Sequence, residues 1–359
     1  MVASLLPWHT ARACTGIVVE SEDGSVVFAR TMEWGAMDLK SRVAIVPRGH
    51  SFTAHTPEGQ NGKAWKGNYG FVGIDAFELD AFGDGLNEKG LAVSVYGFFG
   101  FASYENYEKT EASNAMAAID VVSYLLSTFA TVEEVEEGLK TVSVVSIHGN
   151  PEGMPDFPGH WTVVDRSGRS IVIQYLDGKL TIFENPLGVV TNAPEFSWHM
   201  TNLRNYVNLS AISMPTKRIA DLDFAPLGAG SGLIGLPGDF TPPSRFVRAV
   251  AFTQTARPTG NAKESIYEVF RILDHFNLPA SMAEGSDLGP TAEDSRSATV
   301  YTSAYDLSNG IIYYHTQHNR RVRRLSMESI NFSEHTDNIL RMPLDKKREQ
   351  DYEDIMPGE

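Results

Sequence analysis

Along most of this chain apolar residues come in short runs closed by turn chemistry, the signature of strands rather than long helices. Val18-Val19 and Val26-Val27-Phe28-Ala29 flank Ser21-Glu22-Asp23-Gly24-Ser25, which predicts a hairpin with a glycine in its turn. Residues 43–47 predict another strand, and the turn-forming stretch Phe82-Gly83-Asp84-Gly85-Leu86-Asn87-Glu88-Lys89-Gly90 leads into one at 91–96. The period then changes. Met116, Ile119, Val122, Leu125 and Leu126 recur close to every 3.6 residues and predict a helix over 115–129. Thr131-Val132-Glu133-Glu134 predicts the start of the next, with Thr131 and Glu134 each taking an orphan backbone N–H. Strands resume at 161–164, 170–175 and 180–183, with turns at Asp165-Arg166-Ser167-Gly168 and Asp177-Gly178. A second helical block covers 244–253 and 263–276. The chain then returns to strands at 298–305 and 311–315, around a turn at Ser308-Asn309-Gly310. This order implies an α+β protein with layered antiparallel sheets; without continuous βαβ alternation, a doubly wound fold is disfavoured. No internal repeat or long linker divides the chain, so one domain over 14–344 is expected, followed by a charged, mobile tail over 345–359.

Composition narrows the partners. At 359 residues, 42% hydrophobic and 21% charged, the chain has ample material for a core. Its net charge of −15 argues against nucleic acid or an anionic membrane surface as partner. No apolar stretch is long enough to span a bilayer. Residues 1–13 read as a signal remnant or pro-peptide that is removed. This gives an expected periplasmic or secreted location, with the cytoplasm as the alternative. The chain has no H-E-x-x-H, clustered Cys/His, G-x-S-x-G or P-loop, so neither a metal nor an organic cofactor is expected.

The chemistry gathers at the single cysteine. Cys14 follows Ala11-Arg12-Ala13, a small-residue pattern of the kind that is cleaved. Cleavage there would leave a thiol and a free α-amine on one residue. An α-amine titrates at roughly 7.7–8.0, so it can act as the thiol's own general base. The competing reading is a small buried apolar residue in a first strand. If residues 26–30 pair with the opening strand, Arg30 and Glu33 lie near Cys14. A fixed cation would favour the thiolate, and a carboxylate could hold the ammonium or the scissile nitrogen. The alternative is a strand-end ion pair of little consequence. His160 and His199 are the candidates for a conventional Cys–His pair, but their apolar contexts suit structural histidines.

Several stretches in order carry a resemblance: Cys14-Thr15, Arg30-Thr31-Met32-Glu33-Trp34, Asp84-Gly85-Leu86-Asn87-Glu88-Lys89-Gly90-Leu91, Asn185-Pro186-Leu187-Gly188-Val189-Val190-Thr191-Asn192-Ala193-Pro194, Asn202-Leu203-Arg204-Asn205-Tyr206, Leu236-Pro237-Gly238-Asp239-Phe240-Thr241 and Ser244-Arg245-Phe246. Together they resemble the choloylglycine hydrolase family, linear-amide hydrolases that include bile salt hydrolases and penicillin V acylases. The resemblance runs from Cys14 to about Leu325. It implies an N-terminal-nucleophile fold, two stacked antiparallel sheets between helical layers (αββα), assembled as a homotetramer. It also implies that Cys14 is the nucleophile, Arg30 lies by its sulfur, Asn192 donates to the oxyanion and Arg245 completes a charged floor. The implied partner is a small N-acyl amide with an apolar acyl group.

The chain departs from the family in two places. Family members commonly have Asp where Glu33 stands. Bile salt hydrolases supply a second oxyanion donor from an Asn shortly after Lys-Gly-Leu, and penicillin V acylases from a Tyr; here Tyr96 is the nearest polar candidate. Trp34 resembles the Gram-negative branch, and Trp34, Phe98, Phe99 and Phe101 are candidates for an acyl pocket. The expected substrates are conjugated bile salts. Penicillin V or acyl homoserine lactones are the alternative, and a non-catalytic binding protein is the rival from another class.

Overall fold

The computed structural model describes residues 14–34, 39–154, 156–280, 282, 298–334 and 338–355. Residues 1–13, where cleavage is expected, lie outside the described residues. The opening hairpin forms as its turn chemistry dictates. Strand β1 (Thr15–Glu20) pairs antiparallel with β2 (Val26–Trp34), with Gly16 opposite Arg30, and Gly24 takes φ +80° in the turn. Every residue of β2 is buried, Arg30 and Glu33 included, because both faces of its sheet are covered.

That sheet has six antiparallel strands in the order Val189–Val190, β1, β2, Ala298–Asp306, Ile311–Thr316, Arg323–Ser326. A second has eight, in the order Lys179–Glu184, Ser170–Leu176, Gly159–Val164, Ala92–Gly97, Ala81–Asn87, Phe71–Ala76, Arg42–Val46, Leu340–Pro343. Helices α1 (Val121–Thr128) and α2 (Val132–Leu139) cover the outer face of the larger sheet; Val122, Leu125, Val135 and Leu139 pack there against Trp161 and Val163. After the short α3 (Phe196–Asn202), α4 (Pro242–Thr255) and α5 (Ala262–Asp274) cover the smaller sheet. Phe246, Ile266 and Val269 join Ile17 and Phe28 in that core. The layers therefore run helix, sheet, sheet, helix. Among the described residues no helix is long and apolar enough to cross a membrane.

Two helix expectations change. Only Val121–Thr128 of the stretch 115–129 is α-helical. Ala115–Ala117 instead forms a strand parallel to Ser143–Val145, and Asp120 fixes the turn between by accepting from the N–H groups of Ala117 and His55. At α2, Thr131 accepts from the Glu134 N–H as expected, but the Glu134 carboxylate reaches back to the Ala130 N–H, one residue upstream of the helix cap. The stretch expected as a mobile tail is anchored as far as Asp351. Asp345 bonds Thr316 and Arg323, Gln350 accepts from the Arg320 N–H, and Asp351 pairs with Arg321.

Candidate active site

Cys14 stands just ahead of β1, 4% exposed, at the bottom of an apolar cleft. The hairpin brings Arg30 and Glu33 to it across the sheet, as the sequence implied. Arg30 is wholly buried. Its Nη1 donates to the Gly83 and Val95 carbonyls and to Ser94 Oγ, each at 3.1 Å, and its Nε lies 3.5 Å from Asp84 Oδ2. Asp84 in turn accepts from Tyr305 (2.8 Å), Ser303 (3.1 Å) and Tyr301 (3.4 Å). These three project from alternate positions of one strand, so a carboxylate from the larger sheet is clamped against the smaller. Sequence reading passed over Asp84 because Asp-Gly ordinarily signals a turn.

Arg245 arrives from the helical layer. Pro242 and Pro243 open α4, where a missing N–H costs nothing. Asp239 fastens the preceding loop by accepting from Ser244 Oγ and from the N–H and hydroxyl of Thr241. Arg245 then donates to the Cys14 carbonyl (2.5 Å), Thr15 Oγ1 (2.9 Å) and Asn192 Oδ1 (2.6 Å). Asn192 Nδ2 donates to the Gly97 carbonyl at 2.9 Å, leaving its second amide hydrogen uncommitted among the described residues.

Burial sets the electrostatics. It pushes the Cys14 thiol up, against the pull of Arg30, while Glu33 adds to the push and Arg245 opposes it. Glu33 is raised to about 7, chiefly by burial, with Arg245 the largest opposing influence. Burial brings Arg245 down to about 10, with Glu33 and Cys14 holding it up. The two histidines are committed elsewhere. His160 accepts from the Gln174 amide and donates to the Thr191 carbonyl, and burial lowers it to about 3. His199 donates to the Asn192 carbonyl, and burial lowers it to about 4. Both stay neutral, and neither lines the cleft.

The cleft contains about 700 Å³ of atom-free space, its open mouth included, within the range of ligand pockets. Of the expected pocket residues, Trp34 lines it and the others do not. Phe98 stacks on His160, and Phe99 packs behind the wall against Phe157. Tyr96 points away, over Gly16 and Arg30. Alternation along its strand explains this: Val95 and Gly97 face the cleft, and Tyr96 between them faces the inter-sheet core. The wall is instead Met32, Leu39, Phe77, Phe82, Ile119 and Phe157. These come from several separate stretches, and no single run of sequence signals them.

Two stacked antiparallel sheets between helices, with a cysteine at the start of an inner strand, define the N-terminal-nucleophile hydrolase class. Residues 14–341 match the family of linear amide C–N hydrolases known as the choloylglycine hydrolase family, and the chain belongs to it. It is 35% identical over 322 residues, 89% of this chain and 93% of the relative, to a bile salt hydrolase/transferase of Clostridium perfringens. A mutant of the conjugated bile acid hydrolase from Clostridium perfringens superposes with a TM-score of 0.80 at 29% identity, covering 96% of this chain and all of that one. Penicillin V acylase from Agrobacterium tumefaciens shares the fold, with a TM-score of 0.71 at 24% identity over 92% of this chain and 91% of its own.

Proposed function

We propose that this linear amide hydrolase acts on conjugated bile salts, with Cys14 as N-terminal nucleophile after removal of residues 1–13. The observation that carries the reading is one cysteine at the floor of an apolar cleft, flanked by buried Arg30 and Arg245 and with Asn192 held by Arg245. A steroid acyl group suits such a cleft, and the similarity to bile salt hydrolases supports that substrate.

In this mechanism the freed α-amine of Cys14 takes the thiol proton, and Sγ attacks the amide carbon. The tetrahedral oxyanion accepts from the uncommitted Asn192 hydrogen, a donor of a kind worth about 3–4 kcal/mol in other hydrolases. The α-ammonium returns its proton to the leaving amine, whose departure leaves a thioester. Water, deprotonated by the α-amine, releases the acid and restores the thiol. Arg245 acts as a positioning residue, holding Asn192 Oδ1 and the Cys14 carbonyl at once.

The test is amine release by enzyme beginning at Cys14, with Cys14→Ala as control, from glycocholate, penicillin V and a long-chain acyl homoserine lactone. Glycine released from glycocholate in preference to the others is the expected result; no cleavage above the control overturns the reading. Preference for penicillin V or the lactone supports a second reading, favoured by the absence of an Asn side chain at the end of the Ala92–Gly97 strand. Homotetramer formation belongs to the same proposal. The segment between α3 and α4 exposes Val207, Ile212, Leu222, Leu227 and Ile234, surface that association would bury. Sedimentation of the processed enzyme checks it.

A further inference from the structure

The partner opposite Glu33 is set by an irregularity in the sheet. Between β2 and the Ala298–Asp306 strand the register runs Arg30 to Ser303, Thr31 to Thr302 and Met32 to Tyr301. Continued unchanged, it would set Val300 opposite Glu33. A one-residue slip sets Thr299 there instead. The bulge thereby exchanges an isopropyl group for a hydroxyl at the position paired with this carboxylate on the neighbouring strand. The hydroxyl is used: Thr299 Oγ1 donates to Glu33 Oε1 at 2.9 Å and itself accepts from the Leu278 N–H at 2.8 Å. Glu33 Oε2, fully buried, has no hydrogen-bond partner among the described residues. Such an oxygen is costly unless something is meant to meet it.

We propose that Thr299 is a positioning residue for Glu33: the bulge aims its hydroxyl at Oε1, fixing the longer carboxylate so that Oε2 is kept for the α-ammonium of Cys14. This deepens the functional reading above and rests on Cys14 being N-terminal. The charged and titratable groups facing Glu33 are Arg245 from α4, Arg30 from its own strand and Cys14 from the start of β1, while the Thr31 and Thr299 hydroxyls favour its charged form. Without the Thr299 hydroxyl the carboxylate would lose one donor and its fixed orientation, and the α-ammonium would lose part of its counter-charge.

The single cysteine makes the test direct, because 13C,15N-cysteine labels one residue. In enzyme beginning at Cys14, the labelled α-amine is titrated by NMR in the parent, Thr299→Val and Thr299→Ser. The expected result is a midpoint lower by about one pH unit in Thr299→Val, the equivalent of one hydrogen bond to a charged group. Thr299→Ser should restore it. Alongside, kcat should fall about tenfold in Thr299→Val with KM unchanged. A Thr299→Val midpoint equal to the parent's in folded protein overturns the inference. Should that variant not fold, Thr299→Ala removes the same hydroxyl and is held to the same criterion. The titration needs no substrate, so it decides the role of Thr299 even if none of the three amides is cleaved and the functional reading falls.

Discussion

A single methyl group at Gly16 would test the packing beneath the nucleophile. A Cβ at that position would lie 2.1 Å from Tyr96 Oη, 3.0 Å from its Cζ and 2.9 Å from Val190 Cγ1. Tyr96 cannot swing clear. It is fully buried, with the Arg30 guanidinium 4.9 Å from its ring centroid and His160 edge-on at 5.7 Å. Overpacking a filled core of this kind costs about 1–3 kcal/mol. Among the described residues the clashing oxygen is also buried without a hydrogen-bond partner, a state that costs about 1–3 kcal/mol by itself. Tyr96→Phe should therefore be neutral or stabilising by about 1 kcal/mol. In the double variant the ring carbon and Val190 still crowd the new methyl, so rescue is partial and the coupling energy is about 1–2 kcal/mol. Urea unfolding of the parent, Gly16→Ala, Tyr96→Phe and the double variant measures each term. A Gly16→Ala protein within about 0.5 kcal/mol of the parent, or zero coupling, would refute the reasoning. Turnover by Tyr96→Phe adds a second check. It should keep the parent's kcat, and a loss of about a hundredfold would instead make the phenol an oxyanion donor.

Asp84→Asn leaves Arg30 buried without its carboxylate and should cost about 3–5 kcal/mol, read from the urea midpoint. The two neutral histidines, at about 3 for His160 and about 4 for His199, lie below the ordinary 6.5. The stability they lend is complete above pH 6.5 and should drain away as pH falls toward 4 and then 3. Glu33 has the opposite sign: at about 7 against 4.5, it favours the folded state below pH 4.5 and loses that contribution as pH rises through 7, a slope that Glu33→Gln should remove from the urea midpoint. Phe77→Ala opens the cleft wall beside Trp34 and should raise KM for an apolar acyl amide about tenfold, with kcat held within about twofold.

How much of this was legible in the sequence depended on how far apart the cooperating residues lie. The hairpin of β1 and β2 is local, so turn chemistry at Ser21–Ser25 sufficed to bring Arg30 and Glu33 toward Cys14. Asn192 and Arg245 are remote and came only through resemblance; alone, Thr-Asn-Ala-Pro reads as a turn and Ser244-Arg245 as the start of a helix. The cleft wall was mostly missed for a related reason. Period-2 alternation fixes which residues of a strand share a face, but not which face meets the ligand, and Tyr96 fell on the side opposite Val95 and Gly97. Thr299 was beyond reach, since a bulge shifts register by one residue and leaves no mark in composition. The helix expected at 115 began late because Asp120 fastens the preceding turn through His55, a partner far away in sequence.

The mechanism turns on the fate of one proton. A thiol raised by burial needs a base before it can attack. Both ring nitrogens of His160 are bonded elsewhere, and His199 is stacked on Phe246 and spends its Nε2 on the Asn192 carbonyl. Arg30 and Arg245 are cations whose donors are taken up by carbonyls, hydroxyls and Asn192. That leaves Glu33, at about 7, and the α-amine that cleavage would create. A carboxylate acting as base would need its free oxygen turned to the sulfur, whereas Thr299 holds the group from the opposite strand and Arg245 draws on the same charge. The arrangement favours a division of labour: the amine moves the proton, and Glu33 keeps that amine in place. Glu33→Gln separates the two roles, because a base would lose turnover outright, while an anchor would leave a reduced kcat whose dependence on pH still follows the α-amine.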